Sequence, residues 1–100
     1  MKKTFSVTHD KIKPARMFES IKHDVKKYLK RERNKNLPAD ADYWDFDCKY
    51  GKTEATADVV HVAEINKSID SAQEQGLESF YLEIMAKPAT RNFVEQELED

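Results

Sequence analysis

The residues that could form a nucleophilic site are one cysteine, one histidine and an aspartate. Cys48 is the only cysteine in the 100-residue sequence, and His61 is the candidate base. Cys48 falls on the apolar side of an alternating run, beside Trp44 and Phe46, where a cysteine behaves as a small hydrophobic residue and not as an activated thiolate. In the strand pairing that the sequence favours, His61 lies opposite Asp42 and several residues from Cys48. We therefore expect no catalytic residues and a protein that is not an enzyme.

Three aspartates fall on the polar side of two predicted strands. Asp45 and Asp47 belong to one strand and Asp58 to its return strand, and Glu83 joins them if the last strand is near. Like charges opposed across a sheet destabilise it, and a hard divalent cation would relieve the repulsion by binding carboxylate oxygens. These aspartates are the candidate metal site, and a metal there could activate water. The alternative is an acidic, solvated sheet face, and no other cofactor is expected.

Cations are concentrated on one side of the first predicted helix. Lys22, Lys26, Lys30 and Arg33 follow one another at spacings of four, four and three, which places them on one exposed face. Cations in such a row can follow a phosphate backbone without reading its sequence. We call the following residues the basic ridge: Lys22, Lys26, Lys27, Lys30, Arg31, Arg33 and Lys35. The alternatives are the solvated face of an amphipathic helix, or a ridge covered by the acidic C-terminal residues.

The net charge of −2 conceals a strong asymmetry along the chain. Residues 1–37 contain 12 Lys and Arg against 4 Asp and Glu, whereas residues 38–100 contain 5 against 15. The two parts can attract each other, or the basic part can bind an anionic partner. The sequence has no apolar run as long as a membrane span and no apolar stretch after its basic first residues. We therefore expect no membrane partner. A single cysteine forms no internal disulfide, so we also expect a cytoplasmic protein.

The run 43–50 is the element on which the predicted fold depends. Trp44, Phe46, Cys48 and Tyr50 alternate with polar residues, which is typical of a strand buried on one face. Gly51 and the residue after it resemble the two-residue turn of a hairpin. With that turn, the return strand 53–60 pairs so that opposed residue numbers sum to 103. This register places Lys49 opposite Glu54, Phe46 opposite Ala57, Trp44 opposite Val59 and Asp45 opposite Asp58.

The remaining elements surround this hairpin. A strand at 4–8 precedes the first helix, which runs from Pro14 to about Arg33, and a second helical stripe ends at Gly76 before a last strand at 79–86. The order β-α-β-β-α-β predicts a ferredoxin-like α+β sandwich, with two helices on one face of a mainly antiparallel sheet. The alternative is a three-stranded version in which 53–60 is irregular. The prediction is one domain over 1–90 and an acidic, frayed tail over 91–100.

The expected core combines one face of each strand with the stripe of each helix. A face outside this core, carrying Tyr43, Tyr81 and Met85 among acidic residues, could bind a protein partner or a second copy of the chain. The predicted core residues are Phe5, Val7, Phe18, Ile21, Val25, Leu29, Trp44, Phe46, Ile65, Ile69, Phe80, Leu82 and Ile84.

Several runs of the sequence resemble those of a family of small bacterial proteins of unknown function. The runs are 2–5, 27–33, 44–49, 61–67 and 79–84, so the resemblance covers nearly the whole chain. It implies a bacterial cytoplasmic protein, and it implies no activity and no site residue. From the residues alone, the expected function is non-enzymatic binding of nucleic acid or a nucleoprotein by the basic ridge.

Overall fold

The computed structural model describes residues 1–91, so the predicted tail lies almost entirely outside the described residues. Four strands and two α-helices alternate along the chain in the predicted order β-α-β-β-α-β. Two short 3-10 helices, Glu54–Thr56 and Val62–Glu64, flank the third strand. The main elements are β1 (Lys2–Ser6), α1 (Pro14–Arg33), β2 (Tyr43–Gly51), β3 (Asp58–Val60), α2 (Ile65–Glu74) and β4 (Ser79–Ala89).

Helix α1 begins at Pro14, where the missing N–H of proline costs no hydrogen bond. Phe18, Ile21 and Val25 form its buried stripe, because spacings of three and four return side chains to the same face. Three cations, Lys30, Arg31 and Arg33, occupy the last turn, where they interact favourably with the negative end of the helix dipole. The same periodicity therefore packs one side of α1 and leaves its cations outside.

The four strands form one antiparallel sheet in the spatial order β1-β4-β2-β3. Strands β1 and β2, which α1 connects, are parallel to each other with β4 between them. Strands β3 and β4, which α2 connects, are likewise parallel with β2 between them. Each helix thus spans a split β-α-β unit, and the predicted two-layer α+β sandwich is confirmed. The long strands β4 and β2 occupy the centre of the sheet.

The predicted hairpin register is wrong. Strand β3 contains three residues, and it pairs Cys48 with Val60 and Tyr50 with Asp58, so opposed numbers sum to 108. Residues 52–57 form a loop in place of the two-residue turn, with the 3-10 helix Glu54–Thr56 within it. A capping box, in which Thr53 and Thr56 each bond to the other's backbone or side chain, stabilises this turn of helix. Only the last part of the predicted strand 53–60 is extended.

Eleven of the predicted core residues are buried, and the other two, Leu29 and Trp44, are half-buried. The indole of Trp44 is not fully buried, because its Nε1–H donates a hydrogen bond to the carbonyl oxygen of Lys35 near the surface, at 2.9 Å. Tyr81, which was expected on the exposed face, is buried with 3% of its surface accessible. It is paired with Gly51, and the loop residue Ala57 lies against Gly51 on the same face. The loop that replaced the predicted turn therefore covers this tyrosine.

Candidate nucleic-acid interface

The basic ridge is not uniform, because its first member is already neutralised. Lys22 Nζ lies 2.8 Å from Asp70 Oδ1 of α2 and 3.3 Å from Glu19 Oε1 of its own helix. The hydrogen bond to Asp70 and then that to Glu19 raise the pKa of Lys22, since both stabilise its charged form. Lys22 therefore joins α1 to α2 and is a weak candidate for contact with a partner.

Lys35, at the other end of the ridge, is also paired. Its Nζ lies 2.8 Å from Glu32 Oε2, one helical turn away. Glu32 is largely covered, with 13% of its side chain exposed, whereas Lys35 is 57% exposed. Glu32 is the single acid among residues 25–37. It is paired with Lys35 and therefore does not neutralise the other cations of the ridge.

The five central cations have no ion-pair partner within 4.0 Å among residues 1–91, and all five are exposed. Two of them are held by aromatic rings: the guanidinium of Arg31 lies 5.8 Å from the ring centroid of Tyr28, and that of Arg33 lies 5.3 Å from that of Phe46. The five are Lys26, Lys27, Lys30, Arg31 and Arg33. They form an unpaired cationic surface on the C-terminal half of α1.

A groove runs beside this surface, between α1 and the start of α2. Its volume is about 270 Å³, and aliphatic side chains of both helices line it. Lys26 and Arg33 belong to its α1 side, and Asn66 belongs to its α2 side. The lining residues are Val25, Lys26, Leu29, Arg33, Val62, Ala63, Ile65 and Asn66. Cations and an exposed carboxamide thus border a cleft whose lining is partly aliphatic and partly polar.

The cysteine and histidine considered for catalysis do not form a nucleophilic pair. Cys48 is buried with 2% of its surface accessible, and desolvation, then the charges of Asp47 and Asp45, raises the pKa of its thiol to about 11. His61 instead caps the turn that leads into α2, where its Nδ1 accepts a hydrogen bond from the backbone N–H of Ala63. The thiol therefore stays protonated at neutral pH and takes part in packing.

The three candidate metal-binding aspartates do not converge as predicted. Asp58 pairs with Tyr50, whereas Asp45 and Asp47 lie farther along β2, opposite Lys87 and Met85 of β4. The corrected register is the reason, because it moves Asp58 toward the other end of the strand. In the described part of the chain, no group of three or more His, Cys, Asp or Glu residues could hold a metal ion.

The sheet face turned away from the helices is charge-balanced and not acidic. Lys2, Glu83 and Lys49 lie side by side across β1, β4 and β2. Farther along, Lys87 Nζ lies 2.8 Å from Asp47 Oδ1, and this hydrogen bond raises the pKa of Lys87. Strand β4 therefore introduces a cation, Lys87, among acids that the sequence alone placed together. Val59 and Met85 are exposed on this face, 79% and 43% respectively.

Sequence reasoning identified the cations of α1 but missed the groove beside them. Asn66 and Ala63 gave no signal, because an asparagine or alanine on an exposed helix position is ordinary. Their place at the groove depends on the packing of α2 against α1, which joins residues about 40 positions apart. The one available signal was that each helix carries an aliphatic stripe, which predicts that the two helices lie on the same core.

Comparison with known proteins identifies a family for this chain. A family model described as a family of unknown function, DUF6172, matches residues 1–95. Neither the curated proteins nor the solved structures gave a match to the chain. Within residues 1–91, no helix is long and apolar enough to cross a membrane. Since the family model spans nearly the whole sequence, the chain belongs to DUF6172, a family of unknown function.

Proposed function

We propose that the protein binds nucleic acid, alone or in a nucleoprotein, through the C-terminal half of α1. The observation that carries the proposal is the unpaired cationic surface of Lys26, Lys27, Lys30, Arg31 and Arg33. Pairing at Lys22 and Lys35 marks the two ends of this surface. Among residues 1–91, carboxylates thus neutralise the ends of the ridge and leave its centre available to an external anion.

The spacing of these cations suits a polyphosphate better than a single small anion. Lys26 and Lys30 are four residues apart and therefore about 6 Å apart along the helix axis, and Arg33 follows after nearly one more turn. Charges repeated along a line can contact successive phosphates and release the counterions condensed on them. Such contacts supply affinity and orientation without sequence readout. We therefore expect general binding to polyanionic strands.

The first prediction concerns the salt dependence of this binding. Titration of fluorescently labelled RNA and DNA at several salt concentrations should give a log affinity that falls linearly with log salt concentration. Lys26→Ala, Lys30→Ala and Arg33→Ala should each reduce that slope by about one unit, since each removes about one phosphate contact. The melting temperatures of Lys26→Ala and Lys30→Ala should change little, because exposed lysines contribute little to stability.

Lys52→Ala is a matched control, because Lys52 is exposed in the loop after β2 and away from the ridge. It should leave the slope unchanged. Replacing the four acids of residues 92–100 by amides tests whether the C-terminal residues compete for the ridge, in which case affinity at low salt rises. The absence of binding at low salt by this amide variant, or equal slopes for all variants, would leave α1 a solvated surface and refute the proposal.

A second candidate function is association through the open face of the sheet. The exposed fractions of Val59 and Met85 favour it, because large apolar side chains on a sheet face are typical of contact surfaces. Alternating lysines and carboxylates on that face can pair with those of a second copy of the chain. Sedimentation at several protein and salt concentrations tests this candidate, and a strict monomer at high concentration and low salt would exclude self-association.

We further propose that the protein works in the reducing cytoplasm of a bacterial cell. The support is chemical: the single thiol of Cys48 is buried and has no cysteine partner. A free buried thiol is compatible with a compartment in which disulfides are rare.

A further inference from the structure

We infer that the ligand of this surface is a single-stranded nucleic acid, one base of which enters the groove between α1 and α2. This inference rests on the proposed function and names its substrate class. The groove is bordered by Lys26 and Arg33, which also belong to the unpaired cationic surface. A strand whose phosphates contact that surface therefore has a cleft directly beside its backbone. Neither the cationic surface nor the groove alone selects a single strand over a duplex, but the two side by side do.

The chemistry of the groove suits the flat face of a base. Leu29 and Val62, which are half-buried, contribute the accessible aliphatic surface, and the buried Val25 and Ile65 lie beneath it. Bases in a duplex are stacked and paired, so their faces are unavailable to a narrow cleft. Bases of single strands can turn outward and pack against protein side chains. Aliphatic side chains beside cations thus favour an unpaired base over a duplex.

Arg33 supplies a stacking surface as well as a charge. Its guanidinium lies over the ring of the buried Phe46, 5.3 Å from the ring centroid, and this contact helps to position it. Arg33 is otherwise exposed at the border of the groove. Planar guanidinium groups stack on unpaired bases, which an ammonium group cannot do. Arginine at this position is therefore chemically different from lysine.

Asn66 can contact the edge of the same base. It is exposed on the opposite border of the groove, so its carboxamide is accessible to a ligand. A carboxamide offers both donors and an acceptor, which match the hydrogen-bonding edge of an unpaired base. The cleft thus has a guanidinium plane on one side, a hydrogen-bonding group on the other and aliphatic walls between them.

The second prediction compares four ligands of equal length: an intact single strand of RNA, one of DNA, the same DNA annealed to its complement, and the same DNA with abasic sites. Fluorescence anisotropy at one fixed salt concentration should show the intact RNA or DNA strand binding about tenfold more tightly than the abasic strand, which is the contribution of about one stacked base. The duplex should be similarly weak. Polyglutamate, an acidic peptide without bases, should compete poorly.

Two variants separate the base contact from the phosphate contact. Arg33→Lys keeps the charge and Asn66→Ala leaves the cations intact, so both should lose about fivefold in affinity for the intact strand while binding the abasic strand normally. Lys67→Ala is the control, because Lys67 lies on α2 next to Asn66 but does not line the groove. It should change neither the affinity for the intact strand nor that for the abasic strand. Equal affinity for intact and abasic strands, or tighter binding of duplex or polyglutamate, would overturn the inference while leaving anion binding valid. Failure of every polyanion to bind would overturn both this inference and the proposed function.

Discussion

At the scale of single residues, Tyr81 shows how a polar group is accommodated in this small protein. It is buried, and its hydroxyl donates a hydrogen bond to Glu83 Oε1 at 2.8 Å. Burial, then the hydrogen bond to Glu83 and the negative charges of Glu83 and Glu54, raises the pKa of Tyr81 to about 12. All three causes disfavour the phenolate, so the neutral hydroxyl is the form that the folded protein selects.

The third prediction is a loss of stability at high pH that depends on Tyr81. An unfolded tyrosine has a pKa of about 10, whereas the folded value is about 12. The stabilisation is therefore complete below about pH 10 and is lost as the pH rises toward about 12. Urea unfolding across this range should show a steeper decline for the native chain than for Tyr81→Phe, which cannot ionise. Equal declines would mean that the hydroxyl is not protected as described.

At the scale of elements, the loop 52–57 determines how β3 pairs with β2. It contains a 3-10 helix that packs on the end of β2, where only a residue without a side chain fits. A Cβ placed on Gly51 would lie 2.6 Å from the Cα of Ala57 and 2.9 Å from its backbone nitrogen. Because these are backbone atoms, no side-chain rotation could relieve the contact. Gly51 is thus required for close approach of the loop and not for a hairpin turn.

The fourth prediction is that Gly51→Ala destabilises the protein by about 1–3 kcal/mol through this overpacking. It should also displace the loop from Tyr81, so the pKa of Tyr81 should fall toward its ordinary value. Gly76→Ala is the control, since Gly76 has a φ of 68° and a Cβ added there would have no atom within 4 Å. It should cost about 1–2 kcal/mol from backbone strain alone and leave Tyr81 unaffected. Urea unfolding and absorbance titration measure both effects.

At the scale of the whole molecule, Phe80 of the central strand β4 joins elements from across the sequence. Its ring centroid lies 5.5 Å from that of Phe5 in β1, 6.1 Å from that of Phe18 in α1 and 5.9 Å from that of Tyr50 in β2. Aromatic pairs at these separations add to the stabilisation from burial. One side chain near the end of the fold therefore packs against its first strand, its first helix and its second strand in one core.

The fifth prediction is that Phe80→Ala lowers the free energy of unfolding by about 3–5 kcal/mol, the usual cost of a large cavity in a core. A domain of this size has little stability to spare, so the variant should be partly unfolded at room temperature. Val59→Ala is the control, because Val59 is 79% exposed, and it should cost less than about 1 kcal/mol. A small loss for Phe80→Ala, measured by urea unfolding, would contradict the packing described.

Local periodicity by itself predicted the types and order of the helices and strands and nearly all of the core. It also predicted that the cations of α1 lie on one exposed side of the helix. Phe18, Ile21 and Val25 reveal their helix because a helical repeat depends only on residues a few positions apart. The alternation from Trp44 to Tyr50 reveals β2 for the same reason, although it does not indicate that the indole of Trp44 is only half-buried.

Only the tertiary structure decided which of these features act together. The neutralisation of Lys22 by Asp70 joins residues 48 positions apart, and the interleaving of Lys87 with Asp47 depends on β4 lying beside β2. The groove bordered by Arg33 and Asn66 likewise exists only where α1 and α2 pack. Pairing between distant segments depends on the energy of the whole fold and leaves no periodic signal in the chain, so the site became visible only when the elements were assembled.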